Sequence, residues 1–294
     1  MSAEVAVTPA VPSGVQRAPV DTRLASLRAI YIIWYRDILR FWRDRWRLVA
    51  SLTQPLLFLV VFGSGLSSSL QGSASFGAGR LSYIQFMYPG IIGMAILFSA
   101  IFGAMSIVWD REFGFLKEVL VAPIDRSAVA IGKALGGTTQ AMIQGLILLV
   151  LAPFVGVKLS LLTVLTMIPL AAVMAFGLSS LGVALASSMK SMQGFQVVIN
   201  FLMMPMFFLS GALFPLSGLP GWMAVLTRID PASYGIDPLR RVVLSESGLP
   251  SAVIDKLGLT INGQVLPIPV EVGIMLAFGI VMLAIAVISF KRRD

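Results

Sequence analysis

Any chemistry in this chain has to be done without histidine or cysteine, because neither occurs in its 294 residues. That excludes disulfide frameworks, zinc sites built on those ligands, and any triad or general base that depends on imidazole. A nucleotide site is excluded as well: the Gly132-Lys133 pair runs on into Ala134 rather than Ser or Thr and lacks the upstream glycine of a phosphate-cradling loop. A cluster of charged and aromatic side chains stands out instead, from Asp110 to Pro123. Here Arg111, Glu112, Lys117 and Glu118 mix with Phe113, Phe115, Leu116 and Leu120, the pattern of a short amphipathic helix that stops at Pro123. Such a helix is suited to seating its apolar side in a groove of another protein. An ordinary charged loop at a membrane surface is the competing reading, but it would leave two phenylalanines in water.

Hydropathy sets the elements that must carry this cluster. Apolar residues make up 57% and charged residues 12% of the chain, with a mean hydropathy of +0.90, so lipid is its solvent. A helix of about 20 residues without Asp, Glu, Lys or Arg is long enough to cross the hydrocarbon core. Six spans are expected, at about 48–67, 86–109, 134–155, 161–187, 195–214 and 270–290, which makes an all-α membrane protein. Pro55, Pro169 and Pro205 fall inside three of them, as membrane helices allow. Residues 1–20, rich in Ala, Val and Pro and without an early positive charge, read as a disordered cytoplasmic tail rather than a signal peptide. Residues 291–294 form a short basic tail.

Sixteen of the 22 basic residues lie on one side of these spans. They are the eight arginines before the first span, Arg111, Lys117, Arg126 and Lys133 after the second, Lys190 after the fourth, and Lys291, Arg292 and Arg293. That side is expected to be cytoplasmic and to hold both termini and the 110–123 loop. The net charge of +8 is then a topological signal and calls for no nucleic acid. Over residues 21–47, Leu24, Leu27, Tyr31, Trp34, Ile38, Phe41 and Trp42 share one helical arc, and Arg36, Arg40, Arg43 and Arg47 share the opposite one. This reads as an interfacial helix lying flat on the cytoplasmic leaflet.

The spans are read as holding no ionisable side chain, so neither a coupling ion nor a proton relay is expected inside them. Gln140, Gln144, Thr166, Ser179, Ser180 and Asn200 offer hydrogen bonds alone. Uphill transport would then draw its energy from a partner docked at the 110–123 loop. An ATP-independent channel or scaffold is the alternative, while a membrane-embedded enzyme lacks a cluster of ionisable groups to work with.

In these features the chain resembles the type-2 ABC exporter permeases, the group that includes daunorubicin-resistance and nodulation-factor export membrane proteins. The resemblance rests on Tyr88-Pro89-Gly90, DREFGFLKEVLVAP from Asp110 to Pro123, Gly132-Lys133-Ala134, LSGALFP from Leu209 to Pro215, and DPASYGIDPLRR from Asp230 to Arg241, in this order. It implies a homodimer of six-helix subunits in a bacterial inner membrane, bound to two copies of an ABC ATPase that carries the ATP and Mg, with no cofactor on this chain. It also implies that residues 21–47 are a connecting helix and that Arg111, Glu112, Phe113, Phe115, Lys117 and Glu118 belong to a cytoplasmic coupling helix. The proline-divided segment from Leu213 to Leu244 is expected to form short extracellular or re-entrant helices. A hydrophobic or amphipathic substrate, moved outward, is implied: a drug, a lipid or a lipid-linked glycan. In the fifth span Asn200, Met203, Met204, Phe207 and Phe208 supply flexible and aromatic surface for such a substrate. In the fourth, Ser180, Ala184 and Ser188 form a small-residue face for close packing.

Overall fold

The computed structural model describes residues 22–70, 83–113, 125–157, 159–216, 219–247, 250, 253–254, 257–261 and 264–292. The 1–20 tail, and Phe115, Lys117 and Glu118 of the loop, lie outside the described residues.

Helix α1 (Thr22–Arg43) meets α2 (Arg45–Leu70) at a bend of 70° around Asp44. Helix α3 (Tyr83–Gly103) runs across a one-residue break into α4 (Met105–Glu112), and the two make a single span. Next come α5 (Arg126–Leu151), which closes in a 3-10 turn at Ala152–Val155, then α6 (Leu161–Ser188) and α7 (Met192–Leu209). Two short helices, α8 (Gly221–Ile229) and α9 (Pro231–Ser245), precede a small antiparallel hairpin in which Thr260 pairs with Val265 and Ile261 with Gln264. The last helix is α10 (Ile268–Arg292). Among the described residues five helices are long and apolar enough to cross a membrane, and the bent α1–α2 pair, taken as one span, makes six.

Side-chain caps set several of the boundaries. Asp125, Ser160, Ser191 and Asp230 accept hydrogen bonds from the backbone N–H of Ser127, Thr163, Gly194 and Ala232, satisfying donors that a helix start leaves open. Pro231 occupies the first position of α9, where its missing N–H costs nothing. The cap at Asp125 starts α5 at Arg126, well before the uncharged run at 134. Helix α7 ends at Leu209 rather than near 214, because Gly211 takes a φ of 74° and turns the chain.

Helix α3 is the centre of the bundle. Of its apolar window 72% is buried, against 17% for α10, which turns most of its surface outward. Helices α2, α5, α6 and α9 pack around it. The predicted small-residue face of α6 is buried at Ser180 and Ala184, and the approach to α3 falls between them at Gly182, where a Cβ would sit 3.1 Å from the Ile101 Cα.

Of the two helices expected before the last span, α8 exposes Trp222, Val225 and Ile229, whereas α9 is inserted among α3, α6 and α10. Arg240 of α9 is fully buried; it donates to the Gly211 carbonyl and lies 4.4 Å from the Phe86 ring centroid. Beside it Asp237 accepts from the Leu259 N–H at 3.0 Å, and Arg241 donates to the Leu266 carbonyl at 2.6 Å.

The expectation of charge-free spans fails at Asp110, near the end of the α3–α4 span, and at two residues further on. Glu271, in the first turn of α10, is 0% exposed and lies 3.7 Å from Arg241. Lys133, two turns into α5, is 4% exposed. Starting a span at its first long uncharged run trims away end turns in which a charge is buried against a partner, as at Lys133. Glu271 falls inside the run 270–290 itself, yet it behaves as part of the α9 contact rather than as an external loop residue.

Candidate functional site

Helix α4 ends in three consecutive charged residues, and each is tied to a different part of the bundle. Asp110 meets Lys133 of α5 and Arg36 of α1. The Lys133 ammonium lies 3.0 Å from Asp110 Oδ2, 3.1 Å from Asp37 Oδ1 and 2.9 Å from Ser106 Oγ. Arg36 donates to Asp110 Oδ2 at 2.9 Å, and Arg40 stands 3.8 Å from Asp110 Oδ1. Asp37, Asp110 and Lys133 are all at most 6% exposed. An ammonium so far from water needs an acceptor for each of its three N–H bonds, and this one has three.

Arg111 turns to the end of α6, where its Nη1 donates to the carbonyls of Ser187 at 3.1 Å, Ala186 at 3.4 Å, and Met189. Glu112 reaches the start of α7, its Oε2 accepting from the Met192 N–H at 2.9 Å. A cation on the last carbonyls of one helix and a carboxylate on the first N–H of the next both complement the helix dipoles. The α6–α7 turn is therefore bolted to α4 on both of its sides.

Glycines let α1 approach closely enough to join this junction. A Cβ on Gly132 would fall 3.0 Å from the Ile33 Cβ, and one on Gly136 would fall 3.2 Å from the Asp37 Cβ. Trp34 Nε1 donates to Thr139 Oγ1 at 3.0 Å, and Gln140 Nε2 to the Asp37 carbonyl at 3.4 Å. Helix α1 thus docks lengthwise on α5 instead of resting its whole apolar arc on a leaflet. Ile33, Asp37 and Phe41 face the protein, while Leu24, Leu27, Tyr31 and Trp42 stay exposed.

The predicted residues are placed unevenly. Arg111, Glu112, Trp34, Arg36 and Arg40 belong to the junction. Trp42 and Arg43 are exposed on α1, and Phe113 is 68% exposed with its ring 5.1 Å from that of Trp109. The five residues chosen in α7 do not share a surface. Met203 and Phe207 are buried, and Phe207 meets Phe58 edge-on at 5.7 Å, whereas Asn200, Met204 and Phe208 face outward with Val197 and Phe201. Their four-residue spacing puts the two sets on neighbouring but separate stripes. Sequence reasoning passed over Asp37 and Lys133. The available signal was Asp37 itself, the lone acid among Arg23, Arg28, Arg36, Arg40 and Arg43 of α1.

No group of three His, Cys, Asp or Glu side chains that could hold a metal occurs among the described residues. The junction ties the end of α4 to α1, to α5 and to the α6–α7 turn.

A family model described as ABC-2 type transporter matches residues 28–244. The putative transport permease ycf38 of Cyanophora paradoxa is 28% identical over 238 residues, which cover 79% of this chain and 79% of the relative. The inner membrane transport permease YadH of Escherichia coli strain K12 is 28% identical over 231 residues, 76% of this chain and 85% of the relative. Nodulation protein J of Rhizobium meliloti strain 1021 is 27% identical over 228 residues, 75% and 80% respectively.

Proposed function

This chain belongs to the ABC-2 type transporter family, and from that premise we propose that the end of α4 is the point at which a partner's ATP hydrolysis is converted into helix movement. As a member of the family it is a multi-pass transmembrane subunit of an ABC transporter and not itself the catalyst, and the family implies an ABC ATPase as partner. The full reading is a homodimer with two such ATPases, which hold the ATP and Mg. It sits in a bacterial inner membrane with both termini in the cytoplasm and moves a hydrophobic or amphipathic compound outward. The exposed stripe of Asn200, Met204 and Phe208 on α7 is the surface we assign to that path.

The observation that supports the reading is the three-way attachment of Asp110, Arg111 and Glu112. A force on the residues that follow Phe113 acts first on these three. Rigid caps and a buried ion cluster resist stretching, so the force is carried into α7 instead of being lost in a flexible loop.

The test is co-reconstitution of the permease with its ATPase in proteoliposomes, comparing the parent with the Arg111→Gln/Glu112→Gln double variant. Assembly is expected to persist while permease-dependent stimulation of ATP hydrolysis falls at least about fivefold, the low end of usual coupling energies. Full stimulation in the double variant would overturn the assignment.

A further inference from the structure

The bend between α1 and α2 leaves a half-open cavity of about 490 Å³ against the α3–α4 span, within the range of small-molecule sites. Phe98, Phe102 and Trp109 form an aromatic wall, and Ser51 closes one side, held by the Gln144 amide. At the mouth stand Arg40 and Asp44 of α1, with the Arg40 guanidinium 5.9 Å from the Trp109 ring centroid. On its other side Arg40 borders a second hollow, of about 630 Å³, together with Arg36, Arg43 and Asp44. Arg36 is committed to Asp110 at 2.9 Å, whereas Arg40 is only loosely paired at 3.8 Å and half exposed.

Taken together the two hollows set three arginines, Arg36, Arg40 and Arg43, against the single acid Asp44, beside a lining of aromatic and small polar side chains; this matches an amphiphile with an anionic head and an acyl chain. Basic pockets between helices on the cytoplasmic side bind lipid headgroups in this way, and a guanidinium fork suits a phosphate. Helix α1 carries its arginines on the side assigned to the cytoplasm, which sets the cavity at the depth of the inner leaflet. We propose that this cavity holds one anionic phospholipid of the cytoplasmic leaflet, its phosphate at Arg40 and its chain along Phe98 and Phe102. The site is separate from the α7 stripe and does not depend on the coupling reading; it rests on the reading that α1 lies at the cytoplasmic surface of the membrane.

Trp109 provides the reporter. The purified full-length permease is placed in phosphatidylcholine vesicles containing, at equal mole fraction, either brominated phosphatidylglycerol or brominated phosphatidylcholine. Trp109 quenching is taken as the difference between the parent and Trp109→Phe. One arginine at a membrane surface is worth a roughly fivefold preference for an anionic headgroup, so quenching by the glycerol lipid is expected to exceed that by the choline lipid about fivefold. Arg40→Gln is expected to abolish the excess, and Ser99→Phe, which fills the cavity, to abolish quenching by both lipids. Inorganic phosphate in the buffer leaves the excess in place if a lipid is the ligand. Equal quenching by the two lipids would overturn the proposal. So would an excess that survives both substitutions, which marks general attraction to a basic helix, or loss of the excess in phosphate buffer, which marks a site that free phosphate occupies in preference to the lipid.

Discussion

Replacing Lys133 by methionine keeps most of the side-chain stem and removes the ammonium that two buried carboxylates share. Asp110 retains Arg36 at 2.9 Å, but Asp37 is left with a guanidinium 3.8 Å away as its nearest cation. One charge is therefore stranded. Breaking a buried ion pair from one side costs about 3–5 kcal/mol. The Arg36 side chain is 37% exposed and partly compensates, which places the cost at the lower end, about 3 kcal/mol. For chains of somewhat smaller size each kcal/mol moves the melting point by about 2–4 °C, so Lys133→Met should melt about 6–12 °C below the parent. Adding Asp37→Asn removes the stranded charge, and the double variant should regain at least half of that loss. Thermal unfolding of the parent and the two variants in one detergent, followed by circular dichroism, measures all three. Lys133→Met melting within about 1 °C of the parent, or a double variant no better than the single one, would refute the claim that Lys133 neutralises Asp37.

Three further outcomes follow from the packing. Gly136→Leu forces a side chain into the Asp37 contact and should cost about 1–3 kcal/mol of stability by thermal melting; Gly273→Ala, with nothing within 4 Å of its Cβ, serves as the neutral control. Glu246 accepts hydrogen bonds from the Ser160 and Thr163 hydroxyls, which hold its carboxyl below the usual glutamate range. A depressed folded value means that its stabilisation is present above the ordinary pKa of about 4.3 and fades as pH falls through the folded one. Melting curves of the parent and Glu246→Gln should therefore differ at neutral pH and converge in acid. Finally, because the chain has no cysteine, Met204→Cys on the exposed stripe of α7, the surface assigned to the path, should react in membranes with a thiol reagent much faster than buried Met203→Cys; equal labelling of the two would remove the stripe from the path.

Much of the fold was legible because lipid imposes a coarse rule. Long uncharged runs and the placement of arginines sufficed for the spans, and prolines divided the segment that became α8 and α9. The junction was harder to read. Arg111 and Glu112 were picked out as surface charges for a partner, yet both end on backbone groups of the α6–α7 turn, a pairing of positions about 80 residues apart that no local pattern encodes. Asp37 was passed over and Lys133 was counted only as a cytoplasmic cation, since composition counts a buried ion pair and two solvated charges alike. The α7 set failed for another reason: Met and Phe are equally at home in a core, against lipid or along a path, so their identity does not say which stripe faces inward.

Arg240 bears on how its end of the bundle can move. A guanidinium without exposure, seated on the Gly211 carbonyl and against Phe86, ties α9 to the turn after α7 and to the start of α3. Peeling α9 from that turn would take from a buried cation its carbonyl acceptor and its ring contact, a state costing several kcal/mol. Its attachment therefore acts as a latch on internal rearrangement. The low-energy way to part this end from its surroundings is to carry α3, the tip of α7 and α9 together as one rigid plate.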